Sequence, residues 1–164
     1  MLDLFKPITT FVFDIDGVLT DGNLLVSEEG HLLRTMNIRD GYALQLAVKN
    51  GYNVWVLSGG RSEAVRNRLN KLGIQQVHLG VEDKNECVRE LAEALNVQLN
   101  QILYMGDDIP DHAAMLVSGL PCCPCDAVPE VKQISKYISP LGGGNGCVRD
   151  VLEKVLKLNG HWEL

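Results

Sequence analysis

The sequence has no excess of positive charge. Fifteen lysines and arginines face 21 aspartates and glutamates, and the net charge of -6 with no basic tract argues against a nucleic-acid partner. Also missing is any apolar run long enough to cross a bilayer. Residues 1–7 carry Asp3 and Lys6 and lead straight into the first apolar run, without the n-region and h-region of a signal peptide. A cytoplasmic protein with no membrane partner is expected. Zinc spacing is lacking among the five cysteines, Cys87, Cys122, Cys123, Cys125 and Cys147: Cys122-Cys123-Pro124-Cys125 has neither a second pair nor a nearby His. That segment reads as a short buried strand in which Cys serves as a small apolar residue. Linkers, repeats and low-complexity stretches are absent as well. At 46% hydrophobic and 22% charged, residues 1–164 are expected to form one soluble domain with a sizeable core.

The chain is organised around its first apolar run. Residues 8–13 read as a buried strand, and the run ends abruptly on Asp14 and Asp16, one residue apart, followed by Gly17. Residues i and i+2 of a strand share a side, so both carboxylates are expected at one spot beyond the strand's end. Two close carboxylates repel unless a cation or a proton sits between them. They would also suit a turn opening at Gly17, but stability alone gives a buried strand no reason to end this way.

Strands and helices alternate along the rest of the chain. Leu24-Leu25-Val26 and Leu32-Leu33 flank the polar segment 27–31 as a hairpin. A helix opens at Arg39-Asp40-Gly41 and stops at Gly51, and a buried strand follows over 53–57, ending at Ser58-Gly59-Gly60. The spacing predicts a helix over 62–72, a short strand over 77–79, and a helix over 83–95 with Asp83 and Glu86 at capping-box spacing. A strand over 101–105 ends at Gly106-Asp107-Asp108. A helix over 110–117, a strand over 120–123, a short helix with Pro129 at its first position and a strand at 137–138 come next. The Gly-rich stretch 142–146 leads into a helix over 148–158. Such alternation predicts a doubly wound, Rossmann-like three-layer α/β fold with a mainly parallel sheet and a hairpin after strand 1. Ligands of such folds bind beyond the carboxyl ends of the strands.

At those ends stand Asp14 and Asp16, Ser58, Asp107 and Asp108, with Lys84 just after another strand. Several carboxylates in one crevice call for a hard divalent cation, Mg²⁺ first, since it keeps waters and accepts a phosphate oxygen. The Ser58 hydroxyl, the Gly59 N–H and the Lys84 ammonium are donors suited to phosphate. Each has a plain alternative when taken alone. Ser58 could cap the next helix, Lys84 could be solvated in its helix's first turn, and the aspartates could belong to loops or caps.

In order and spacing, Asp14-x-Asp16-Gly-Val-Leu-Thr20, Leu57-Ser58-Gly59, Lys84 and Gly106-Asp107-Asp108-x-x-Asp111 resemble the four motifs of haloacid dehalogenase superfamily phosphatases. The resemblance implies roles. Asp14 would be the nucleophile that forms an aspartyl-phosphate, and Asp16 the general acid and base. Asp14, the backbone carbonyl of Asp16 and Asp107 would hold Mg²⁺. Asp108 and Asp111 would support the metal or its waters.

Between Thr20 and Ser58 there is room for only the hairpin and one helix, so no cap domain fits. The capless members are tetramers, and the resemblance implies a homotetramer in which hairpins pack together and a neighbour helps form the site. The chain is similar to capless phosphatases of keto-deoxy sugar acid phosphates, small-molecule substrates of eight carbons in lipopolysaccharide sugar synthesis or of nine carbons in a sister group. The sister group carries Glu after the second motif, where this chain has Gly60, which favours the eight-carbon acid. Thr20, Arg61, Arg68 and Arg149 are candidates for contacting the substrate, the arginines because they bind carboxylates bidentately. A receiver-type signalling domain would need an acceptor Asp at the end of a middle strand, where this chain has Gly80. A non-catalytic oligomerisation or regulatory module would not need the full set of Asp14, Asp16, Ser58, Lys84 and Asp107.

Overall fold

Six short strands, all running the same way, make the frame that places the site. In a computed structural model describing residues 2–163, β1 (Thr10–Phe13), β4 (Asn53–Leu57), β5 (Gln76–His78), β6 (Ile102–Met105), β7 (Leu120–Cys123) and β8 (Tyr137–Ile138) form one parallel sheet. Its order is β5-β4-β1-β6-β7-β8, so β1 lies inside, paired with β4 on one side and β6 on the other. The pairing Phe13↔Val56 and Phe13↔Met105 aligns the ends of all three strands. The doubly wound parallel fold expected from the alternation is present, and among the described residues the sheet is wholly parallel.

Alternation along the strands builds a core on each face. Phe11, Phe13, Val54, Val56, Leu103 and Met105 point to one face. There they meet α1 (Ile38–Lys49), α2 (Glu63–Lys71) and α6 (Cys147–Leu158). Val12, Trp55, Leu57, Ile102 and Tyr104 point to the other and meet α3 (Lys84–Ala94), α4 (His112–Val117) and α5 (Pro129–Ile134). Covered on both faces, the strands read in sequence as near-continuous apolar runs.

Helix starts follow their caps. Asp83 accepts from Glu86 N at 2.9 Å, as the capping-box spacing anticipated, and Ser62 accepts from Val65 N at 3.3 Å. Helix α1 begins at Asn37, whose Oδ1 accepts from Arg39 N and Asp40 N, rather than at the Arg39-Asp40-Gly41 that periodicity favoured. Pro129 takes the first position of α5, as its missing N–H permits. Cys122 and Cys123 are buried in β7, whereas Cys125 lies past it and is exposed.

The hairpin is a separate two-stranded ribbon, β2 (Leu25–Val26) against β3 (Leu32–Leu33), antiparallel. Its Leu24, Leu25, Val26, Leu32 and Leu33 are all exposed. Between β1 and β4 the described chain holds only a wide turn, this ribbon and α1, and between β4 and β5 only α2; no cap lies over the strand ends. No helix among the described residues is long and apolar enough to cross a membrane.

Candidate active site

Strand β1 does not carry its pairing past Asp14, whose N–H still bonds the Met105 carbonyl at 3.2 Å. The chain then makes a wide turn over 15–19, closed by Thr20 N to the Ile15 carbonyl at 3.0 Å. Asp16 stands inside this turn and Gly17 takes φ +97°, a left-handed conformation. A Cβ on Gly17 would fall on the Asp107 carboxylate, so glycine is required there twice over. Asp14 and Asp16 do reach one crevice, but the turn brings them together and not strand alternation. Thr20, a candidate for substrate contact, is fully buried. Its hydroxyl accepts from Gly17 N and Gly22 N and braces the turn from behind.

The crevice is an open cavity of about 330 Å³ at the carboxyl ends of β1, β4, β5 and β6. Asp14, Asp16, Ser58, Gly59, Lys84, Asp107, Asp108 and Asp111 all line it. Four strand ends thus supply the residues that the sequence pattern singled out. At its centre the Lys84 ammonium donates to Asp14 Oδ1 and Asp111 Oδ1, each at 2.8 Å. Asp111 also accepts from the Tyr104 hydroxyl at 2.9 Å and from Asp107 N at 3.2 Å. With those partners Asp111 is the anchor for Lys84. Asp108, by contrast, is exposed and accepts from Ile109 N at 2.7 Å.

Ser58 is anchored by its N–H to the His78 carbonyl at 2.9 Å, and its hydroxyl accepts from Gly60 N at 3.1 Å. The Ser58 O–H remains available to donate into the crevice. Asp16 is held by Arg34, whose Nε donates to Oδ1 at 2.6 Å and Nη2 to Oδ2 at 3.2 Å. That pair raises the Arg34 pKa further above its ordinary value. Sequence reasoning missed Arg34, since one arginine after a short exposed strand carries no signal. It missed Tyr104 too, although a tyrosine in an otherwise apolar buried strand calls for a partner for its hydroxyl.

The candidate arginines do not converge. Arg61 lies against Gly80, beside the crevice, and Arg68 packs against Gly41 of α1. Arg149 is elsewhere, with its Nε on Glu153 at 3.1 Å and its guanidinium 5.0 Å from the Trp162 ring centre. It lines a separate groove of about 610 Å³ with Asn37, Arg39, Asn145 and Lys157. Although larger, that groove has no comparable carboxylate cluster; chemistry, not volume, selects the crevice.

Three carboxylates crowd around one ammonium. Ligand oxygens of Asp14, Asp107 and Asp111 lie within 4.8 Å of one another. Burial, then the charge of Asp111, pushes the Asp14 pKa up to about 6 against the opposing pull of Lys84. Burial, then the charges of Asp14 and Asp111, pushes Asp107 up to about 8. Oδ1 of Asp107 is buried and accepts no hydrogen bond. A hard divalent cation would meet each of these demands at once. Asp14 and Asp107 have the oxygens to give it, whereas those of Asp111 are taken.

Residues 77–148 match the haloacid dehalogenase-like hydrolase family. The chain is 33% identical over 149 residues to the 3-deoxy-D-manno-octulosonate 8-phosphate phosphatase of Yersinia pestis, covering 91% of this chain and 80% of that protein. It is 31% identical over 155 residues to the same phosphatase of Escherichia coli K12, covering 94% and 82%. A crystal structure of the Moraxella catarrhalis phosphatase, in complex with a magnesium ion, a phosphate ion and a KDO molecule, superposes with a TM-score of 0.92. Its identity is 32%, and the match covers 96% of this chain and 90% of that one.

Raised carboxyl pKa values have a direct consequence. Between the ordinary value of 3.8 and about 6 for Asp14, and up to about 8 for Asp107, the folded metal-free protein holds more protons than the unfolded chain. Its stability therefore falls as pH rises through that window, and a divalent cation, which needs both groups ionised, reverses the loss. Calorimetric titration with MgCl₂ at pH 7 in two buffers of different ionisation enthalpy should show proton release of the order of one per site, vanishing above about pH 9. Binding without proton release at pH 7 would contradict this electrostatic description.

Proposed function

The chain belongs to the haloacid dehalogenase-like hydrolases and is a magnesium-dependent phosphatase, and we propose that it hydrolyses 3-deoxy-D-manno-octulosonate 8-phosphate through an aspartyl-phosphate on Asp14. The observation that carries this reading is the Lys84 ammonium locked between Asp14 and Asp111 beside the unpartnered Asp107 oxygen, at the ends of parallel strands. Asp14, Asp107 and the Asp16 main-chain carbonyl would hold Mg²⁺, which offsets the repulsion between carboxylate and phosphate dianion when bound.

The protein's own groups then divide the work. Lys84 fixes one Asp14 oxygen, and the other attacks phosphorus. The Ser58 hydroxyl, the Gly59 N–H and Lys84 donate to the phosphate oxygens. As the new O–P bond forms, the P–O bond to the sugar breaks and its electron pair goes to the sugar oxygen. Asp16 gives that oxygen a proton, a contribution typically of about 10² to 10⁴ in rate. Asp16, now ionised, takes a proton from water. The water oxygen attacks phosphorus and releases phosphate and the free Asp14 carboxylate.

The absence of a side chain at Gly60 supports the eight-carbon substrate over the nine-carbon one, because the sister group carries Glu at this point. The five free cysteines are consistent with a cytoplasmic setting. The exposed leucines of the ribbon support a homotetramer. A two-stranded ribbon is marginal alone in water, and apolar faces of this kind call for cover.

Asp14→Asn should lower turnover of the sugar acid phosphate by at least about a thousandfold, and Asp16→Asn by at least about a hundredfold, while leaving the fold intact. EDTA should abolish wild-type activity and Mg²⁺ restore it. Near-wild-type turnover by Asp14→Asn would discard the nucleophile assignment.

Leu25→Lys with Leu32→Lys should dissociate the assembly, measured by light scattering at micromolar concentration. A monomeric wild type would remove the tetramer from the account.

A further inference from the structure

We infer that Arg34 is the positioning residue for Asp16, seated by the missing side chain of Gly60, so that the hairpin holds the proton donor of its own subunit in line with the leaving oxygen. The role presupposes the phosphatase reading above. Arg34 follows an exposed ribbon, yet its side chain is only 8% exposed, because the guanidinium folds back over the crevice. Its two bonds to Asp16 are unequal, 2.6 Å from Nε to Oδ1 and 3.2 Å from Nη2 to Oδ2. A third N–H, on Nη1, reaches the Leu32 carbonyl at 3.4 Å and ties the fork to β3.

On the opposite side stands Gly60. A Cβ there would lie 3.3 Å from Arg34 Nη2, 3.4 Å from Asp16 Oδ2 and 3.4 Å from Ser58 Oγ. Glycine at 60 therefore leaves the space in which arginine, acid and phosphate donor meet. Asp16 is about a third exposed and Arg34 is its side-chain partner. Freed of that partner, its carboxylate would spread over several rotamers.

The unequal fork separates the duties of the two oxygens. The short Nε–Oδ1 bond is charge-assisted and keeps the plane of the carboxyl fixed. The longer 3.2 Å contact leaves Oδ2 the less constrained oxygen, the one through which Asp16 meets the sugar oxygen. When the P–O bond to the sugar breaks, its electron pair goes to the sugar oxygen, which takes its proton from Asp16. Asp16 is left as a carboxylate with both bonds to Arg34. Lysine offers a point charge in place of the fork and cannot reproduce this arrangement.

A positioning role and a merely structural one separate by leaving group. The kcat/KM ratio reports steps up to P–O cleavage, and a nitrophenolate leaves without needing a proton, whereas a sugar alkoxide needs one. Arg34→Ala should lower kcat/KM for the sugar acid phosphate by about 30- to 100-fold and for p-nitrophenyl phosphate at least tenfold less. Added guanidinium ion should recover part of the loss, and Arg34→Lys should recover little. Gly60→Ala, which keeps the guanidinium but pushes on the pair, should show the same split at smaller size and covers the case in which Arg34→Ala loosens the ribbon. Equal losses on both substrates in both variants would overturn the role of Arg34. A wild type inactive on both substrates with Mg²⁺ would instead overturn the phosphatase reading on which it stands.

Discussion

The Lys84 ammonium between Asp14 and Asp111 is the interaction on which the site depends. A buried lysine is tolerated only with carboxylate partners, and these two carboxylates are tolerated only with the lysine. The pair of 2.8 Å bonds ties the end of β1 to the first turn of α3 and to the turn after β6. Each tie is fixed from behind, by the Asp83 cap that starts α3 and by Tyr104 and Asp107 N on Asp111. Such a cluster contributes little net stability, because desolvation offsets most of the Coulomb gain. What it contributes is position. Asp14 lines the crevice with one oxygen fixed by Lys84, the positioning that in-line attack on phosphorus requires.

Charge balance explains why the crevice takes a cation and then a phosphate. One ammonium does not neutralise Asp14, Asp107 and Asp111, and the deficit appears as carboxyl pKa values pushed upward and an unpartnered Asp107 oxygen. Close approach is the second condition. Gly17 admits the Asp107 carboxylate, and Gly106 likewise lies where a Cβ would collide with Asp111. These glycines allow three carboxylates, from the end of β1 and the turn after β6, to face one point. With no cap above it, the crevice is open, and the hairpin reaches it through Arg34.

Much of this was legible in the sequence, for physical reasons. Strands β4 and β7 run over 53–57 and 120–123 as read, because strands buried on both faces are apolar throughout and end where polar residues begin. Helix ends at Gly51 and Gly73 follow from their positive φ. Asp14, Ser58, Lys84 and Asp107 were legible because polar residues at the ends of buried strands have no packing role. Contacts made at long range were not legible. Nothing local marks Arg34 as the partner of Asp16 18 residues earlier, nor places Arg149 in the groove by Trp162 instead of the crevice. Asp111 looked like an outlying helper because the contact that gives it its place, Lys84 of α3, is 27 residues away. Asp14 and Asp16 share the crevice through a wide turn that replaces the strand after Phe13, not through the alternation of a strand.

The central claim is that Asp14, oriented by Lys84, accepts the phosphoryl group. Rapid acid quench of Asp16→Asn with Mg²⁺ and p-nitrophenyl phosphate, whose leaving group needs no proton, followed by peptide mass spectrometry, tests it most directly. One phosphoryl group on the peptide containing Asp14, absent from Asp14→Asn, is the expected result. Turnover by the wild type with no phosphorylated Asp14 at any quench time, in either the wild type or Asp16→Asn, would contradict it.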